Sequence, residues 1–130
     1  MKKLEDKVFK YLKARRWDNL RPSDIAKSIM IEGAELLELF QWDNLALNDV
    51  KANKEKIEQI KKELADVFIY AIEMSVLLDL DAEKLINEKL KYINKKYPAK
   101  LMRKNAKKES GSGEDSEYWR IKNEHRRSGL

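Results

Sequence analysis

Carboxylates spaced three apart recur in this chain: Glu32, Glu35 and Glu38 in IMIEGAELLELFQW, and Glu63 and Asp66 in ELADVFIYAI. Spacing alone is weak evidence, because the same pattern also falls at Glu55/Glu58 and Glu114/Glu117. Those two pairs lie among lysines or in a polar tail, where solvation accounts for them. The 32–35 and 63–66 pairs sit in apolar runs, where it does not. On a helix, residues three apart share a face, so two such pairs on facing helices gather four carboxyl groups in one small volume. Unpaired, they would repel each other and be costly to desolvate. Two balances are available at this point. One is Lys or Arg partners; the other is a hard divalent cation, for which oxygen ligands are suited. A di-iron centre is not expected, because such bundles use Glu-x-x-His and the lone histidine, His125, has no such spacing.

The elements that must carry these groups read as helices. Leu4, Val8, Phe9 and Leu12 mark a first helix over about 3–14. Pro22 suits a first turn, with Ser23 or Asp24 as cap of a second helix running to about Trp42. DNLALND reads as a connector. A long third helix over about 54–78 carries Ile57, Ile60, Leu64, Val67, Phe68, Ala71, Ile72 and Val76. Asp81 stands where it can cap a fourth, with Leu85, Leu90 and Ile93, that stops near Tyr97-Pro98. ESGSGEDS is a glycine/serine segment, and EYWRIKNEHRR a short terminal helix. With four glycines, two prolines and little strand alternation, the fold class is all-α, a four-helix bundle completed by oligomerisation.

Composition narrows the function classes. The net charge of +5 resides mostly in residues 99–130, with 9 Lys+Arg against 5 Asp+Glu, whereas residues 1–98 hold 19 against 18. The expected division is therefore a helical domain over 1–98 and a basic extension over 99–130. Having no cysteine, the chain has no disulfide, thiolate metal site or cysteine nucleophile. MKKLEDKVFKY lacks a signal-type apolar core and no stretch is apolar enough to span a bilayer, so a cytoplasmic protein with no membrane partner is expected.

Taken together, RRWDNLRPSDIAKSIMIEGAELLELFQW, ELADVFIYAI and KLKYINKKYP resemble, over about residues 15–98, the MazG-like all-α nucleoside triphosphate pyrophosphohydrolases, especially the branch that includes dCTP pyrophosphatases. The resemblance implies a homodimer or homotetramer that uses Mg²⁺, with Mn²⁺ as a substitute, to cleave a nucleoside triphosphate between the α and β phosphates. Glu32, Glu35, Glu63 and Asp66 match the family's metal ligands. Glu38 matches a position that ligates a further metal or holds the attacking water, so Glu35 and Glu38 are the catalytic candidates. Trp17 and Trp42 match aromatic positions around the base, Tyr70 a tyrosine near the sugar, and Lys89 a phosphate-binding lysine. Relatives commonly carry asparagine where this chain has Ile93, with Asn94 one residue later, about 100° around a helix. Their base-side histidine is absent from WDNLRP, where Asn19 or Arg21 would substitute.

A different class of function, a helical module binding nucleic acid, would use the basic run Lys100, Arg103, Lys104, Lys107 and Lys108 with Tyr118 and Trp119. Such a run is usually a solvated tail, so nucleic acid is not the expected partner. The same tail, through Arg103, Lys107 or Arg120, could instead fold over the active site as a lid.

Overall fold

The fold is described from a computed structural model, covering residues 1–105 and 116–127. Seven helices follow in order: α1 (Lys2–Ala14), α2 (Pro22–Glu38), α3 (Leu47–Ala52), α4 (Lys54–Leu77), α5 (Ala82–Lys96), α6 (Ala99–Asn105) and α7 (Ser116–Arg127). Among the described residues there is no strand, and no helix is long and apolar enough to cross a membrane. ESGSGEDS up to Asp115, with Lys107, Lys108 and Glu114, lies outside the described residues, as do the side chains of Lys104, Ser116, Glu117 and Tyr118.

Two compact units make up the chain, Met1–Glu83 and Lys84–Leu130. In the first, α4 packs along both α1 and α2. Val8, Leu12 and Ile72 form its buried centre, with Val76 and Leu77 against them, and Ile25 is buried on α2. Glu5, itself buried, accepts a hydrogen bond at 3.3 Å from the Ala82 N–H, one of the amides that the first turn of α5 leaves without an intrahelical partner.

Both α1 and α4 end in a Schellman motif. Arg16 adopts φ 58°, its N–H bonds the Lys13 carbonyl, and the Trp17 N–H reaches back to Leu12 at 2.9 Å. Asp79, at φ 56°, repeats the arrangement with Leu80 bonding to Ser75. The first of these turns folds Trp17 back against Tyr11, edge to face with ring centroids 6.1 Å apart.

Helix boundaries differ from expectation at both ends of α2. It begins at Pro22 with Arg21 in the cap position and no side-chain cap, so Ser23 and Asp24 lie inside the helix. Proline's fixed φ and missing N–H suit it to the first position, which moves the start two residues upstream of that expected with Ser23 as cap and three upstream of that with Asp24. The helix ends at Glu38 rather than Trp42, because Leu39, Phe40 and Gln41 bond to carbonyls three residues back and tighten the chain into turns. Lys56 of α4 fixes that end. Its Nζ donates to the Leu39 carbonyl and to Asp43 Oδ2 at 3.0 Å, and lies 5.0 Å from the Phe40 ring centroid. The connector that follows contains α3, a helix too short to show periodicity. Asn53 then caps α4, its Oδ1 accepting from the Lys56 N–H.

In the second unit α6 packs on α7, a contact for which Tyr97-Pro98 had suggested only a stop. Ile121 is buried there, Tyr92 meets His125 edge to face, and His125 Nδ1 lies 2.9 Å from the Ile121 carbonyl oxygen.

Candidate metal and nucleotide site

Antiparallel packing of α2 on α4 sets residues of the two helices against each other in order. Tyr70 lies by Ser28, Asp66 and Glu63 meet Glu32, Glu35 lies by Glu63, and the Lys56 ammonium donates to the Leu39 carbonyl. The two carboxylate pairs anticipated from their spacing thus face each other across one helix interface.

Glu32, Glu63 and Asp66 each place a carboxylate oxygen so that the three atoms lie within 4.8 Å of one another. Glu35 lies close enough to Glu32 and Glu63 to raise both carboxyls, through a shared proton and through its charge, and Glu38 is close enough to Glu63 for its charge to act on it. Glu32 and Glu63 are half-buried, and each has one oxygen, Oε2, that is buried with no hydrogen-bond partner. Among the described residues no lysine or arginine forms an ion pair with any of the five acids. Of the two balances open from sequence, the ammonium or guanidinium one is therefore not made among the described residues.

The electrostatics follow from this crowding. Burial, then the hydrogen bond to Glu35, then the charges of Glu35, Asp66 and Glu63 push the Glu32 carboxyl up to about 7. Glu63 is raised by burial, by its bond to Glu35 and by the neighbouring acids. An all-oxygen donor set with two unsatisfied buried oxygens fits a hard divalent cation.

Beyond the acids, α4 carries Tyr70 and Glu73 along the same face, continuing the series Glu63, Asp66, Tyr70, Glu73 at spacings of three and four. A groove of about 350 Å³ is lined by Asp66, Ile69, Tyr70 and Glu73 from α4 and by Leu4, Lys7, Val8 and Tyr11 from α1. A second, of about 240 Å³, is lined by Trp17, Leu20, Tyr11, Asp24, Ile25, Ser28, Tyr70 and Glu73. Burial raises the Tyr70 hydroxyl, as do the charges of Glu73, Glu32 and Asp66, while Ser28 opposes them.

These residues, in this order along two antiparallel helices, match a family model described as MazG-like over residues 27–111. The chain belongs to the MazG-like family. Among solved structures, a pyrophosphatase from Archaeoglobus fulgidus is similar to it at 30% identity, covering 75% of this chain and 92% of that one, with a TM-score of 0.65. No curated protein matches the chain. For a MazG-like chain the all-α class read from sequence is the fold observed.

The expected residues separate into groups. Glu32, Glu35, Glu63 and Asp66 come together, with Glu38 beside Glu63, while Trp17 and Tyr70 share the second groove. Trp42 is not brought to them: it lies past the end of α2, 90% exposed, while Trp17 lies by Asp24, Ile25 and Ser28 near its start. Ser28 and Glu38 alone are about 15 Å apart along the helix axis. Lys89 and Asn94 are exposed on α5 in the second unit, Lys89 with its ammonium 4.6 Å from the Tyr92 ring centroid. Asn19 and Arg21 line neither groove. Sequence reasoning missed Glu73, Tyr11, Asp24 and Ser28. Glu73 was the legible one, being the next step after Tyr70 on the face that Glu63 and Asp66 begin.

Proposed function

We propose that this MazG-like protein is a Mg²⁺-dependent nucleoside triphosphate pyrophosphohydrolase, with Mn²⁺ as a substitute. It adds water across the α–β phosphoanhydride of a (d)NTP, dCTP-like or modified, to release the monophosphate and pyrophosphate, a reaction suited to clearing unwanted nucleotides in the cytoplasm. The observation that carries this reading is the Glu32, Glu63 and Asp66 cluster, with two buried unpaired oxygens and no ion pair to a cationic side chain among the described residues. The similar Archaeoglobus fulgidus protein, a pyrophosphatase, supports it.

Bound there, the cation would neutralise phosphate charge and lower the pKa of a water molecule. Glu32, Glu63 and Asp66 would hold it, with Glu35, which acts on both Glu32 and Glu63, joining them. Glu38, on the exposed end of α2 and close enough to Glu63 for its charge to act on it, would hold a further metal or the attacking water. Trp17 and Tyr70 flank the groove that takes base and sugar.

A homodimer or homotetramer is part of the proposal. Met30, Leu37, Phe68 and Trp42 are 73%, 67%, 58% and 90% exposed, a burden of apolar surface that a second copy would cover. A partner's copy of that surface is also how Trp42 could come to a base. Pyrophosphate release from a panel of standard and modified nucleoside triphosphates, with and without Mg²⁺, tests the reading. Metal-dependent release from at least one supports it, and none from any overturns it.

A further inference from the structure

Glu73 is the second of the two buried charged residues of the chain's described core, at 4% exposure, and unlike Glu5 it has no hydrogen bond or ion pair among the described residues. Lys7 lines the larger groove with it but forms no ion pair to it. Burial alone holds its carboxyl above the usual carboxylate range, with no cation or donor opposing the shift. The side chain is packed in, but its oxygens are not sealed off as the Oε2 atoms of Glu32 and Glu63 are, so a donor occupying the grooves that Glu73 lines can reach them.

Its position says what that is. Glu73 lines both grooves, between Tyr11 and Tyr70, and in the smaller one it faces the same space as Trp17. It stands seven residues from Asp66 on one face of α4, about 10.5 Å along the axis. With the triphosphate at Asp66 and the sugar at Tyr70, that span reaches the far edge of a base lying against Trp17.

We infer that Glu73 reads the base edge, accepting hydrogen bonds from an exocyclic amino group, and so selects cytosine and adenine nucleotides over thymine and uracil ones. This deepens the hydrolase reading and rests on it. An amino group brings N–H donors to carboxyl oxygens that have none. The 4-keto oxygen of thymine or uracil brings another acceptor, which would displace water from the carboxyl oxygens without pairing them and repel them. Trp17 supplies an aromatic face without choosing among bases, so the choice falls to the polar group at the edge.

The test compares wild type, Glu73→Leu and Glu73→Gln, with helical content verified by circular dichroism. Each is assayed for kcat/KM of pyrophosphate release from dCTP, dATP, dTTP and dUTP, and for binding of the corresponding monophosphates by calorimetry. Wild type should favour dCTP and dATP by about tenfold or more, the worth of one hydrogen bond to a charged group. Leu should bring that ratio to within about threefold, and Gln, which keeps an acceptor oxygen, should retain the order. A loss in Leu that is equal for all four bases marks a structural role and overturns the inference. Equal hydrolysis of all four by wild type also overturns it while leaving the hydrolase reading standing. Absence of hydrolysis of any nucleotide overturns both together.

Discussion

Glu32 of α2 and Glu63 of α4 bring carboxylate oxygens within 4.8 Å of each other across a helix interface, and the Oε2 of each is buried without a hydrogen-bond partner. Two acids so placed oppose the packing that brings them together. The arrangement persists in the fold because α1, α2 and α4 are held elsewhere, by Leu12 and Ile72 in the core and by Lys56 at the end of α2.

Under the proposed metal assignment, Glu35→Gln and Asp66→Asn should each lower pyrophosphate release by about a hundredfold or more, since each weakens the hold on the cation that would offset charge at the phosphate. Far-ultraviolet circular dichroism should be unchanged. Full activity in both variants would sink the metal assignment.

Metal-free protein should lose stability as pH rises. Glu32 is raised from 4.5 to about 7 and Glu63 is raised in the same direction, so the folded chain binds more protons than the unfolded one in this window. Their contribution is complete below about pH 4.5 and is lost as pH climbs through about 7. Buried Glu73 adds a shift of the same sign. Melting temperatures measured from pH 4.5 to 8 in chelator, then in Mg²⁺, check this, with the decline flattened by the metal.

Saturating Mg²⁺ should stabilise the fold by about 2.7 kcal/mol at a hundred times its Kd. Glu32→Gln removes one of the crowded charges, so it should raise the melting temperature in chelator and abolish most of the Mg²⁺-dependent rise. A metal-induced shift as large in Glu32→Gln as in wild type would place the cation elsewhere.

Arg16→Gly should stabilise the protein by about 1 kcal/mol, because a non-glycine residue at left-handed φ carries a steric cost of that order. Chemical denaturation measures the gain. The Trp17 turn depends on backbone bonds to Leu12 and Lys13, so the second groove should keep its shape.

Lys56→Met should destabilise by about 1–3 kcal/mol, leaving the Leu39 carbonyl and Asp43 without their shared donor. It should also lower kcat through Glu35 and Glu38, which ride on the freed end of α2.

The sequence by itself determined the helices and the chemistry. Apolar residues three and four apart mark α1, α2 and α4 because a helix must bury one stripe, and acids inside such stripes at 32, 35, 63 and 66 signalled a group that solvent could not balance. Caps and short helices were less legible: α3 and α6 have six and seven residues, too few for a repeating pattern, and the start of α2 turned on Pro22 rather than on Ser23 or Asp24. Only the tertiary structure decided which residues meet. Periodicity gives the face of one helix but not the register of its neighbour, and the antiparallel register of α2 on α4 is what sets Glu32 against Glu63 and Ser28 against Tyr70. It also separates Trp17 from Trp42, and it buries Glu73 with nothing to bond, a condition that depends on what α1 lays over it.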